Sequence, residues 1–152
     1  MTNISNSAPV RCAIYTRSAT GDVASLLKQE QDWRAAAPTL GWTVPDGFVF
    51  TDVAASGTGC SSRPSLAALL QLAGERSQSV DYVVIESFNR LGRDLRDVAG
   101  VLEFLESRGI GVYFASMQLE SRDQAFRDSV MVLNSVPVLR KPLSSPKSAL
   151  TK

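Results

Sequence analysis

Arginine is the residue type through which this chain could do chemistry. Arg17 stands in Tyr15-Thr16-Arg17-Ser18-Ala19-Thr20, and Arg90 and Arg93 stand in Ser87-Phe88-Asn89-Arg90-Leu91-Gly92-Arg93-Asp94. Both clusters follow an apolar run that reads as a buried strand. The guanidinium group is permanently charged, and its planar fork matches the oxygens of a phosphate. It is a poor proton acceptor, so such a cluster holds an anion rather than acting as a base. A hydrogen bond to a charged group is worth about 1.5–3 kcal/mol. Several aimed at one pentacoordinate phosphorus would stabilise it strongly. Taken singly, each arginine reads as well as an ordinary surface ion pair. The placement of Arg90 and Arg93 after a buried strand, with Arg17 after another, favours the anion site.

Composition narrows the other chemistries. The chain has 152 residues, no histidine, two cysteines and a net charge of +1. Without histidine, the usual neutral-pH acid/base, Ser-His catalysis and most metal sites are excluded. Cys12 lies in an apolar run and reads as core, whereas Cys60 lies in a Gly/Ser loop and reads as a free thiol. Both fit a reducing cytoplasm. With no bulk positive charge, contact with nucleic acid must come from local arginines. Residues 1–8 are polar and carry no leader pattern, and no apolar run is long enough to cross a bilayer.

The elements that must position these arginines alternate along the chain. Residues 10–16 read as a central strand. Asp22 caps a following helix, in which Leu26, Trp33, Ala37 and Leu40 recur at helical spacing and which Gly41 ends. Residues 48–52 read as a second strand and residues 53–62 as a mobile Ser/Gly loop. Pro64 opens a helix with Leu66, Leu69, Leu70 and Ala73 as its apolar stripe. Residues 82–85 form a third strand. Asp94 and Asp97 mark a helix whose buried face is Leu95, Val98, Leu102 and Leu105. Gly109 ends it, residues 110–115 form a fourth strand, and residues 122–134 form a last helix. Beyond lie Pro137, Pro142 and Pro146 with Arg140, Lys141, Lys147 and Lys152.

This order predicts an α/β domain with a largely parallel, four- to five-stranded sheet and helices on both faces. Its ligands belong at the carboxyl ends of the strands. Arg17, Arg63, Arg90 and Arg93 all follow strands, directly or after a loop, and are expected to converge on one edge. The expected division is a flexible terminus at 1–9, a domain at 10–134 and a basic, proline-containing tail at 135–152.

Several of these segments resemble one family in order and interval. Tyr15-Thr16-Arg17-Ser18-Ala19 is similar to the Tyr-x-Arg-x-Ser signature of serine recombinases, the resolvases and invertases. Ser25-Leu26-Leu27-Lys28-Gln29 resembles their Ser-Leu-x-x-Gln element. Phe50-Thr51-Asp52, Ser56-Gly57 and Arg63-Pro64 follow their second strand, loop and next helix start. Asn89-Arg90-Leu91-Gly92-Arg93-Asp94 resembles their Asp-Arg-Leu-x-Arg-Asp segment. The resemblance runs over about residues 10–133.

It implies a resolvase-like fold and site-specific recombination of duplex DNA. In that reaction a serine hydroxyl attacks a phosphodiester, forms a 5′-phosphoseryl link and frees a 3′-hydroxyl, without metal or other cofactor. It implies a homodimer or tetramer, or a mixed oligomer with an active recombinase, in the cytoplasm and in a mobile-element or phage setting. By position, Arg17, Arg63, Arg90 and Arg93 would bind and activate the phosphate. Gln29 would support the site, Asp52 would orient neighbours and Tyr15 would pack beneath.

Two residues depart from that pattern. Ala19 stands at the nucleophile position and has no hydroxyl, so the covalent link cannot form there. Asn89 stands where the family has Asp, which removes a charge that would balance arginine. Ser18 is the substitute nucleophile to consider, although on a strand its side chain points opposite to that of residue 19. Residues 135–152 leave no room for a helix-turn-helix module. Phe126, Val130, Met131 and Leu133 are expected either to form an apolar dimer face or to cover the sheet. The reading is a recombinase-like domain impaired in cleavage, with weak, salt-sensitive DNA binding. The alternatives are a non-catalytic DNA-binding or regulatory remnant in mixed oligomers, and a receiver or nucleotide-binding domain. Against the last, the first strand ends in Arg17 rather than in acids, and no Gly-x-x-x-x-Gly-Lys-Ser/Thr loop is present.

Overall fold

A computed structural model describes residues 8–53, 63–75, 80–92, 95–124, 126 and 128. The chain runs through β1 (Val10–Ser18), α1 (Val23–Ala36), a 3-10 turn (Ala37–Leu40), β2 (Trp42–Thr43) and β3 (Val49–Val53). It continues through α2 (Pro64–Gly74), β4 (Tyr82–Ile85), α3 (Phe88–Leu91), α4 (Leu95–Ser107), β5 (Gly111–Phe114) and β6 (Leu119–Glu120). β1 is central. It pairs in parallel with β4 on one edge and with β2 and then β3 on the other. β5 adds in parallel to β4, and β6 closes that edge antiparallel.

The expected largely parallel α/β sheet is therefore present, built on four longer strands. Two strands of two residues each, β2 and β6, bring the total to six. Strands so short carry no alternation for a sequence reading to find. β1 also runs further than its apolar stretch, because Arg17 and Ser18 stay in register with Asp52 and Val53. Polar pairing carries the ladder there: the hydroxyls of Thr16 and Thr51 are 2.9 Å apart. The single helix expected from Asp94 proves to be preceded by α3, separated from α4 at Gly92.

Local signals act where the sequence places them. The Asp22 carboxylate accepts from Ser25 N at 3.2 Å and caps α1. Pro64 occupies the first turn of α2, where no backbone donor is needed. Gly41 closes the 3-10 turn with φ 73°, a left-handed conformation suited to glycine.

Strand alternation divides the interior in two. Ala13, Tyr15, Val83, Ile85, Val112 and Phe114 face α2 and α4, which contribute Leu66, Leu69, Val98, Val101 and Leu105. Cys12, Ile14 and Val84 face α1, which contributes Trp33. Fully burying each large apolar side chain contributes about 1.5–3 kcal/mol relative to exposure. Phe126 belongs to the first cluster. It stacks 5.6 Å from the rings of both Phe88 and Phe114 and is buried. For Phe126 the dimer-face expectation is thus corrected, because it covers the sheet end. Val130, Met131 and Leu133 lie outside the described residues, as do Cys60, residues 54–62 and the basic tail. Among the described residues no helix is long and apolar enough to cross a membrane.

Candidate functional site

At the carboxyl end of the sheet, the β1–β3 register sets Arg17 beside Asp52. Asp52 is buried and engages three donors. Its Oδ2 accepts from the Tyr15 hydroxyl at 2.9 Å and from Leu66 N at 3.0 Å. Its Oδ1 accepts from Ser65 N at 2.9 Å. Asp52 therefore caps α2 from a neighbouring strand, placing a negative charge on two orphan donors at the positive end of the helix. Ser65 adds a hydroxyl bond to Thr51 O at 2.7 Å. This linkage fixes the start of α2, and with it Arg63, which occupies the N-cap position and is wholly buried.

Arg17 and Arg90 hold one another through their backbones. Arg17 Nε donates to Arg90 O at 3.0 Å, and its Nη2 donates to Asn89 O. These carbonyls belong to α3, whose free acceptors attract a cation. In return, Arg90 Nη1 donates to Arg17 O at 3.1 Å. Arg90 Nε also donates to Glu86 Oε2 at 2.8 Å. Glu86 was not among the residues that sequence reasoning selected. Its signal was the four-residue interval to Arg90, which spans Ser87 and is not on a regular helix. Glu86 supplies next to Arg90 the negative charge that is missing at Asn89.

The charges of Arg63 and Arg17 both act on Tyr15. Its pKa is raised, first by burial and then by the hydrogen bond and charge of Asp52, while the two arginines oppose the shift. Tyr15, Asp52, Arg17 and Arg63 thus form one electrostatic group. The buried charged residues among those described are two arginines and one aspartate, an excess of positive charge that suits an anion.

The remaining predicted residues sort as follows. Ala19 is exposed, just past the end of β1. Ser18 is buried, and its Oγ accepts from Asp22 N at 3.0 Å, which ties it to the entry of α1. Asn89 is exposed, with its side-chain oxygen bonded to the Ser87 hydroxyl. Gln29 stands on α1. Its nitrogen donates to Ser25 Oγ at 3.3 Å, and its buried oxygen accepts no hydrogen bond. Arg93 lies outside the described residues. The structure therefore brings together Arg17, Arg63, Arg90, Tyr15 and Asp52, and Gln29 lines a cleft that Tyr15 and Glu86 also line. Among the described residues, no three His, Cys, Asp or Glu side chains group as metal ligands.

The arrangement can bind an oxyanion at its rim and stabilise added negative charge there. It has no hydroxyl at position 19. Comparison with known proteins gives this geometry a family. The N-terminal catalytic domain of TP901-1 integrase is 21% identical, with a TM-score of 0.71 over 83% of this chain and 93% of that one. A resolvase family site-specific recombinase from Streptococcus pneumoniae is 18% identical, with a TM-score of 0.69 over 82% and 85%. The C-terminal catalytic domain of ISC1926 TnpA, an IS607-like serine recombinase, is 27% identical, with a TM-score of 0.61 over 84% and 80%. No curated protein matches the chain by sequence. The model of the resolvase N-terminal domain family matches residues 12–136, and the chain belongs to that family, the catalytic domain of the serine recombinases.

Proposed function

We propose that this domain holds a DNA phosphodiester at the arginine rim and does not itself form the phosphoseryl link. The observation that carries this reading is the reciprocal Arg17–Arg90 clasp at the end of β1, two residues before the exposed Ala19. In recombination of the family type, a hydroxyl at position 19 forms the Oγ–P bond and the P–O3′ bond breaks. The leaving oxygen takes up a proton and becomes the 3′-hydroxyl. Arg17, Arg63 and Arg90 would neutralise the phosphorus oxygens through that step, joined by Arg93 by family position. With a methyl at residue 19 there is no attacking oxygen. Ser18 is buried and engaged with Asp22, so it does not take that place. The role left is to bind backbone within an oligomer whose other members cleave.

Two assays test this. In anisotropy titrations with labelled duplex DNA, Arg90→Ala should weaken binding and lower the dependence on salt by about one counterion. Equal affinity of variant and parent would contradict the assignment. On supercoiled DNA, the parent should give no protein–DNA adduct and Ala19→Ser should give one. An adduct from the parent would overturn the non-cleaving reading.

A further inference from the structure

α3, which carries Arg90, is a single turn, and its N-cap Ser87 supplies no side-chain cap. One turn of helix does not hold itself, so its neighbours must hold it. On the polar side, Arg17 takes the carbonyls of Asn89 and Arg90. On the apolar side, Phe88 and Leu91 are three positions apart and share a face turned into the core. Arg90 projects from a different side, where it meets Glu86 and Arg17 O.

Leu91 is fully buried. Phe88 is only partly buried and relies on two rings from later in the chain. Phe114, the last residue of β5, stacks on it at 4.3 Å, and Phe126 lies 5.6 Å from both. The ring planes are within 28° of one another throughout, so the three form one stack. Stacked rings fix a direction as well as burying area. The β5–β6 hairpin delivers Phe126 to this place. Ser121 N donates to Val112 O, and Ser121 Oγ accepts from Val112 N, both at 2.8 Å.

We infer that Phe126 is a positioning residue for the phosphate contact: through Phe88 it seats α3, and with α3 both Arg90 and the carbonyls that hold Arg17. The inference rests on the reading of Arg90 as a phosphate ligand, whereas the seating itself is a property of the protein without DNA.

The seating is read in the full chain, free of DNA, as exchange of the Arg17 and Arg90 Nε protons with water. Both protons are donated, to Arg90 O and to Glu86. Phe126→Leu keeps an apolar side chain, removes the ring and should speed both exchanges several-fold. Phe88→Leu breaks the stack at α3 itself and should do the same. Ile110→Val trims the same core at the opposite end of β5 and should leave both rates in place. Phe126→Leu should also weaken duplex DNA binding by about threefold or more, part of what a whole charge-assisted hydrogen bond is worth. In an Arg90→Ala chain the same change should cost nothing further, because both act on one contact. Parental exchange rates in a folded Phe126→Leu overturn the proposal, as does equal acceleration by Ile110→Val. Unchanged DNA affinity in Phe126→Leu, or a further loss in the Arg90→Ala chain, overturns it too. If Arg90→Ala binds DNA as the parent does, the phosphate reading fails, and the exchange rates still decide whether Phe126 seats α3.

Discussion

Asp52→Asn tests the scaffold of the site with a change of almost no volume. The carboxylate receives three hydrogen bonds, from Tyr15 OH, Ser65 N and Leu66 N. An asparagine oxygen placed at Oδ2 keeps the bonds from Tyr15 and Leu66, but its amide then points an N–H at Ser65 N. The reverse orientation keeps the bond from Ser65, loses that from Leu66, and leaves the Tyr15 hydroxyl to accept from the amide. Bonds to a charged acceptor are worth about 1.5–3 kcal/mol each, roughly twice their neutral counterparts. One such bond is lost, the survivors are weakened, and the buried Arg17 and Arg63 lose a counter-charge. The expected cost is about 3–5 kcal/mol, within the range for breaking a buried charged pair. At a domain size near 150 residues this lowers Tm by about 6–20 °C. Urea unfolding followed by tryptophan emission, with an unchanged m-value, reads the loss directly. Asp32→Asn on exposed α1 is the control and should leave the midpoint in place. A loss below about 1 kcal/mol for Asp52→Asn would refute the idea that this carboxylate joins β3, Tyr15 and α2.

Glu86→Gln removes the anion that faces Arg90 and should raise duplex DNA affinity by about threefold or more, with a steeper salt dependence; a fall in affinity would show that Glu86 orients Arg90 rather than competing with phosphate for it. Tyr15 and Tyr82 both have raised pKa values, with burial the largest cause, followed by Asp52 and Glu120 respectively. Groups shifted upward in the folded state support it fully below the ordinary tyrosine value of about 10, and that support is lost as pH rises further. Stability measured from pH 9 to 12 should therefore fall, and Tyr15→Phe should flatten the fall; an identical slope would contradict the shift. At Gly111, an added Cβ would lie 2.4 Å from a carbon of the Tyr82 ring. Gly111→Ala should cost about 1–3 kcal/mol in urea unfolding, and Tyr82→Ala in the same chain should relieve much of that clash.

The sheet was legible because each strand that matters carries a run of apolar residues and each helix a cap or breaker. Residues 82–85 and Pro64 are read as they fold. Three things were hidden, for physical reasons. β2 and β6 are two residues long and are held by their neighbours rather than by pattern. α3 has four residues, too few for periodicity, and its carbonyls are satisfied by Arg17 from 72 and 73 positions away. Asp52 looked like an orienting acid within a strand. Its role as the cap of α2 needed the β3–α2 packing to be visible, because the capping carboxylate lies 13 and 14 residues before the donors it serves. Gln29 is a further case. The resemblance gave it a supporting role at the arginine site, and helical phase sets it in a cleft that Tyr15 and Glu86 also line, which no residue spacing displays.

The arginines of the rim are structural as well as charged, and this bears on what an alanine at position 19 means. Arg17 closes the end of α3, Arg90 holds the last residues of β1 through Arg17 O, and Asp52 fixes the start of α2, next to Arg63. Replacing Arg17 or Arg90 removes hydrogen bonds to backbone carbonyls as well as the proposed phosphate contact, so the fold itself would retain these two whether or not DNA is cut. Residue 19 has no such duty: it is exposed, and the neighbouring Ser18 and Asp22 complete the turn without it. A hydroxyl there could be gained or lost at little cost in stability, on the order of the ±0.5 kcal/mol typical of surface substitutions. The number of arginines present therefore does not decide whether this domain cleaves. On the proposed reading that depends on position 19, and Ala19→Ser is the change expected to alter cleavage while leaving the urea midpoint where it was.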